Sequence, residues 1–244
     1  MCDGKRARRA AYSCSEAAGE VTSMTEAEWL ECTDLKEMLQ FLSDKASNRK
    51  FRLFACACVR RVWHLLADER SRKSVEVAEK FADGLANKEQ LIEAAAEAKA
   101  AAEEQARILA GKTPPRISAN RDAARVASDA KAAVINAHWA ASWTAVGAGQ
   151  VGAWAAAKNT ERTGQPALLR EITGNPFQKP VVPERWSPTI IMLAGDLHED
   201  HRGQFALHRM LQKAGCTELA EHFRDPEQSH PKGCWALDLI LGRQ

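Results

Sequence analysis

Three observations predict an all-α fold for this 244-residue chain. Alanine loses no rotamer freedom on entering a helix, and it supplies 44 residues, 25 of them in the 64 positions from Ala94 to Ala157. β-Branched residues never alternate with polar ones over a strand length, and the chain holds one Tyr. Cap residues, glycine stops and proline breaks recur from Met24 onward. The expected architecture is a helical bundle with long Ala-rich helices over residues 24–173. A Pro-rich connector over 174–188 and a small helical C-terminal unit over 189–244 follow. Residues 1–23 carry Lys5, Arg6, Arg8 and Arg9 without a hydrophobic period. They are expected to be a disordered or mis-started tail and, lacking an apolar run after the basic cluster, not a signal peptide.

Taken in order, Thr25 and Glu28 form a capping box ahead of Trp29 and Leu30. Asp34 caps a short helix carrying Leu35, Met38, Leu39 and Leu42. Ser47 or Asn48 starts the most apolar helix, Phe51 to Leu66, with Phe51, Phe54, Cys58, Val62 and Leu65 on one stripe and Cys56, Val59, Trp63 and Leu66 on another. A helix apolar on most sides belongs at the centre of a bundle, so Trp63 is expected in the core. Asp68 to Ala82 is amphipathic and stops at Gly84, and Lys88 to Ala110 ends before Thr113-Pro114-Pro115. Ser118 to Lys158 reads as one long helix that Gly147, Gly149 and Gly152 kink or shorten. Ala167 to Ile172 is short and closes at Gly174-Asn175-Pro176. Beyond the connector, helices are expected at Thr189 to His198, Gln204 to Ala214, Thr217 to Arg224 and Cys234 to Leu241.

Composition limits the function. With 34 Lys and Arg against 32 Asp and Glu, the net charge of +2 makes no case for nucleic acid or anionic lipid as the main partner. Seven cysteines, an odd number, suit a reduced, cytoplasmic setting better than a disulfide scaffold. Ala137 to Ala157 lacks a formal charge, yet it is mostly Ala and Gly and holds His138, Ser142, Thr144 and Gln150. It is expected to be a packed bundle helix rather than a membrane span. There is no GxxxxGK[ST] or GxSxG, and Gly147 to Gly152 fits GxGxxG only by accident, because no strand precedes it. The basic strip Arg49, Lys50, Arg52, Arg60, Arg61, Arg70, Arg72 and Lys73 interleaves with Asp68, Glu69, Glu76 and Glu79, which reads as a solvated face rather than a DNA-contacting patch.

Two groups of metal-ligating side chains are conceivable. Cys56 and Cys58 point about 200° apart on a helix and cannot share an ion, while His64 is placed to meet Asp68 one turn on. The second group is stronger: five of the seven histidines and two of the seven cysteines fall in the last 47 residues. Cys216-x5-His222-x7-His230-x3-Cys234 offers two thiolates and two imidazoles, a plausible structural zinc set for a small unit with a thin core. Its spacing matches no zinc-finger pattern. His198-Glu199-Asp200-His201 fails the helical zinc-protease motif, whose histidines stand four apart.

The segments Met24–Leu35, Lys50–Leu85, with its RLFACACVR core, and Gly233–Gly242, which reads GCWALDLILG, are distinctive. Together with Gly174-Asn175-Pro176-Phe177 they resemble a family of uncharacterised bacterial proteins that share an acidic-Trp opening, a Cys-rich helix and a GCWxxDLxLG ending. The resemblance covers most of 24–244, is weakest in the Ala-rich middle, implies Met24 as the start of the domain and implies no activity. It also implies a Cys after the histidine matching His222, where this chain has Phe223; that departure weighs against a family-wide metal role for His222 and Cys234.

The expected function is therefore a non-enzymatic helical interaction or scaffold module with a protein partner, no cofactor and no catalytic residue. A zinc-stabilised module built on Cys216, His222, His230 and Cys234, with nucleic acid a possible but not favoured partner, is the alternative. A metal-dependent hydrolase using His198, His201 and His230 ranks below both.

Overall fold

The computed structural model describes residues 23–61, 63–66, 68–108 and 164–243. The tail over 1–22, the expected helix Ser118 to Lys158 and the Ala137 to Ala157 stretch lie outside these described residues. Within them the chain is all-α. The helices are α1 (Glu26–Glu31), α2 (Leu35–Leu42), α3 (Asn48–Arg61), α4 (Glu69–Ala82), α5 (Lys88–Ile108), α6 (164–173), α7 (Pro188–Asp200), α8 (Gln204–Lys213), α9 (Thr217–Glu221) and α10 (Trp235–Leu241). No helix among the described residues is long and apolar enough to cross a membrane.

The caps read from the sequence are formed. Thr25 and Glu28 make the reciprocal capping box of α1, Asp34 accepts from the Lys36 and Glu37 amides, and Asp68 accepts from that of Arg70. One boundary moved. The helix expected to run to Leu66 ends at Arg61, and the chain tightens into a 3-10 turn at Trp63–Leu65, where the Leu66 amide reaches the Trp63 carbonyl at 3.0 Å. The turn carries Leu66 into the core and leaves Trp63 only partly buried, beneath the guanidinium groups of Arg60 and Arg72, 4.1 and 5.8 Å from its ring. Asp68 gives its carboxylate to Arg70 at 2.8 Å, so it serves α4 and not the expected His64 contact.

Buried side chains form two clusters. The first joins α1 to α6 and includes Trp29, Met38, Leu42, Phe54, Val59, Leu66, Val75, Leu91, Leu169 and Ile172. The second joins α7 to α10 around Ile190, Leu197, Leu207, Leu211, Leu219, Phe223, Leu237 and Ile240. Residues 174–188 do not swing free between them. Phe177 stacks on Phe41 with centroids 5.4 Å apart, and Asn175 donates to Glu26 at 2.7 Å.

The seam between the clusters is ionic. Asp238 on α10, 1% exposed in its side chain, accepts from Arg49 Nη2 at 2.9 Å and from Lys50 Nζ at 2.5 Å. Arg49 also reaches Asp83, the C-cap of α4, at 2.7 Å. Arg243 closes the network, 3.1 Å from Nε2 of the buried His198. Elsewhere the strip of cations is matched by carboxylates: Arg60 with Glu79, Arg70 with Asp68 and Glu104, Arg72 with Glu69, and Lys73 with Glu97.

Trp29, fully buried, should carry the weight first expected of Trp63. Trp29→Ala is expected to cost about 3–5 kcal/mol in urea unfolding, and Trp63→Ala clearly less, because only the former opens a closed cavity. Equal losses would place Trp63 in the core after all.

Candidate metal centre

Where α6 leaves the bundle, its residues separate by face. Leu169 and Ile172 enter the first cluster, and Arg170 reaches back to the carbonyls of Trp29 at 2.6 Å and Cys32 at 2.5 Å, fastening α6 to the open end of α1. Glu171, between them, is left to face the C-terminal helices. Two glycines then allow the other side of the site to approach. A Cβ on Gly174 (φ +74°) would stand 3.1 Å from Trp235 Cγ, and one on Gly233 (φ +89°) would stand 2.8 Å from Leu53 Cδ1. Both backbones adopt the left-handed region that glycine occupies without strain. The close packing they permit seats Cys234, the residue ahead of α10, beside α3 and α6.

His222 closes α9 as its C-cap, and His230 lies in the loop that returns to Cys234. The four side chains Glu171, His222, His230 and Cys234 meet, with one ligand atom from each all within 4.8 Å of one another. Nε2 of His222 is 3.1 Å from Glu171 Oε1 and 3.2 Å from Cys234 Sγ. Nδ1 of His230 is 3.0 Å from the same oxygen and 3.8 Å from the same sulfur. Zinc bonds of about 2.0–2.1 Å to N, 2.0–2.2 Å to O and 2.3 Å to S imply tetrahedral edges of about 3.3 Å for N···O and about 3.6 Å for N···S. The two N···O separations fall a few tenths of an ångström short of their edge, and the two N···S separations lie on either side of theirs. The charges also fit: one carboxylate and one thiolate cancel a divalent ion, so the filled site would bury no net charge.

The surroundings are those of a ligand set held in place. Gln228 Nε2 donates to the second oxygen of Glu171 at 3.1 Å. The Phe223 ring, 1% exposed, lies edge-on to His222 at 5.0 Å and tilted against His230 at 4.9 Å, and Trp235 meets His222 at 5.0 Å. Phe223 is thus the apolar wall of the site, in place of the Cys that the resemblance implied. Burial raises the Glu171 carboxyl, but hydrogen bonds from His222 and His230 outweigh it and bring the group down to about 2. Burial pushes the Cys234 thiol well up, Glu171 adds to that, and the amides of Leu237 and Ala236 oppose it. Nε2 of His230 is buried without a hydrogen-bond partner, a cost of about 1–3 kcal/mol that ligation at Nδ1 would more than offset.

Three of the residues read from the sequence, His222, His230 and Cys234, are therefore brought together, and Cys216 is not. Cys216 precedes α9 and His222 follows it, and six residues of helical rise put them about 9 Å apart along the axis. The Cys216 sulfur lies in the second apolar cluster, 3.9 Å from the Ala214 carbonyl. The fourth member of the cluster is Glu171, which a count of cysteines and histidines passes over and which stands 51 residues from His222. The histidines of the hydrolase reading do not converge: His198 is within 2.9 Å of Glu199 and 3.1 Å of Arg243, His201 is exposed at a left-handed C-cap, and His230 lies instead 3.0 Å from Glu171. Cys56 is buried with its sulfur toward the Val75 carbonyl and its thiol pushed well up by burial, as a small apolar residue would be. Comparison with protein-family models, curated proteins and solved structures found no match to this chain.

Because its folded value lies below the ordinary 4.5, Glu171 stabilises the metal-free fold fully above pH about 4.5, and that contribution fades as pH falls toward 2. In chelator-treated protein, the unfolding free energy of wild type minus that of Glu171→Gln should be steady at neutral pH, on the order of 3 kcal/mol, and shrink below pH about 4.5. A difference that grew on acidification would contradict the sign.

Proposed function

We propose that this chain is a non-enzymatic helical scaffold module whose C-terminal helices are fastened to the bundle by one structural zinc ion held by Glu171, His222, His230 and Cys234. The observation that carries the reading is the convergence of one carboxylate from α6 with two imidazoles and a thiol from the C-terminal helices. All four tetrahedral positions have a protein donor, the arrangement of a structural site, whereas a catalytic zinc keeps one position for water or substrate. A thiolate with two imidazoles selects zinc over the hard cations, which prefer all-oxygen shells. The need is plain from size. Helices of five and seven residues, α9 and α10, are too short to persist alone, and a metal bond supplies what their small core does not.

A protein partner suits the surface better than nucleic acid does. The basic strip is largely engaged by Glu69, Glu79, Glu97 and Glu104, and ion-paired arginines have less to offer a phosphate backbone. Ile191, Met192 and Phe205, on α7 and α8, are exposed apolar side chains of the kind that protein contacts cover.

Plasma mass spectrometry on untagged protein purified without chelator should find about one zinc per chain. His222→Ala and Cys234→Ser should lose it and Cys216→Ser should keep it. Zinc at a thousandfold over its dissociation constant adds about 4 kcal/mol, so chelation should lower Tm by on the order of 10 °C. Metal-free protein with an unchanged Tm on zinc addition would refute the reading.

A further inference from the structure

The side chain of Lys50 emerges from the second residue after the start of α3 and is 12% exposed. Its ammonium group donates to the Ile172 carbonyl at 2.8 Å, to the Gly233 carbonyl at 2.8 Å and to Asp238 at 2.5 Å. An ammonium has three hydrogens, and all three are directed. Ile172 directly follows Glu171, and Gly233 directly precedes Cys234. Lys50 thus grips the main chain next to one ligand on the bundle side of the centre and next to one ligand on the C-terminal side. It holds the two segments at a fixed separation from a third element, α3.

We propose that Lys50 is the positioning residue of the Glu171–His222–His230–Cys234 centre, setting the carboxylate-to-thiolate spacing without touching the metal; the proposal rests on the zinc reading above. Groups behind the ligands commonly set metal affinity by orienting the ligands themselves. Here the device acts on the backbone, which suits a carboxylate and a sulfur carried by segments remote in sequence. Burial weakens the charge on Lys50, and Asp238 sustains it. Arg49, its neighbour, shares Asp238 but donates to neither flanking carbonyl; its other partners are Asp83 and the Arg243 carbonyl. The two residues therefore separate the ionic seam from the positioning of ligands.

The test measures zinc affinity by competition with a chromophoric chelator, together with the thiolate charge-transfer band of the cobalt-substituted protein, in full-length wild type, Lys50→Met and Arg49→Met. Lys50→Met should keep its helical circular dichroism, bind zinc about 10- to 100-fold more weakly and show a displaced or weakened cobalt band. Arg49→Met should lower Tm while its affinity and cobalt spectrum stay those of wild type. If Lys50→Met does not fold, Lys50→Arg takes its place. It keeps a charge opposite Asp238 but carries its donors in a planar fork that cannot set one nitrogen among three acceptors, so affinity should again fall. Wild-type affinity in a folded Lys50 variant, or an equal loss in Arg49→Met, overturns the proposal and leaves the zinc reading standing. Absence of zinc binding by the wild type overturns both.

Discussion

Asp238 is the constraint on which the rest of this structure depends. A carboxylate with 1% exposure is tolerable only if its lone pairs are occupied, and here Arg49 and Lys50 occupy them from one helix of the other cluster. Desolvating charges costs several kcal/mol each, and replacement of such groups by apolar ones is often neutral or stabilising. The strength of the network is therefore a weak account of its presence. Geometry is the better account. Burial weakens the charge of Lys50, yet each of its hydrogens has a directed acceptor. An apolar seam between the clusters would tolerate sliding, whereas this one has a single register.

A candidate four-residue centre bridges the two clusters. Its ligands come from α6, from the end of α9, from a loop and from the start of α10, and no two of them share an element. The Cβ-free approach of Gly233 to Leu53 and of Gly174 to Trp235 brings those elements close, and Lys50 joins the main chain beside two of them. Gly233, Cys234, Trp235 and Asp238 lie within six residues, so one short segment supplies a close approach, a ligand, a ring against His222 and the anchor of the seam.

The all-α class was legible because it follows from local chemistry. Alanine content, caps at Thr25, Asp34 and Asp68, and the helix stops act over a few residues, and the structure forms them where they were read. Trp63 misled because periodicity continues past Arg61 on paper, while the chain tightens into a 3-10 turn that only the packing of Leu66 and the two guanidinium groups explains. Half of the centre's logic was equally local. His230 and Cys234 are one return of the chain apart, and His222 lies within the same short unit. Cys216 was read in with them because spacing along a chain does not show which residues have a helix between them. Glu171 was missed because acidic residues are common and its partners are supplied by tertiary structure, through two glycines and Arg170.

The same physics explains why the site takes a carboxylate rather than the second thiolate first expected. Two thiolates would leave a filled divalent site neutral just as one thiolate and one carboxylate do, so charge does not decide between them. Reach does. A residue on α6 must span from a helix packed into the bundle core to ligands on α9 and α10, and Glu has two more side-chain atoms along that path than Cys. It also has a second oxygen, which Gln228 holds at 3.1 Å, fixing the carboxylate plane from the C-terminal side. A cysteine at the same position would need α6 to move toward α10, and Ile172, fully buried in the first cluster, and Arg170, bonded to two carbonyls, hold α6 where it is. The residue type at position 171 is thus a consequence of where the bundle core puts the helix.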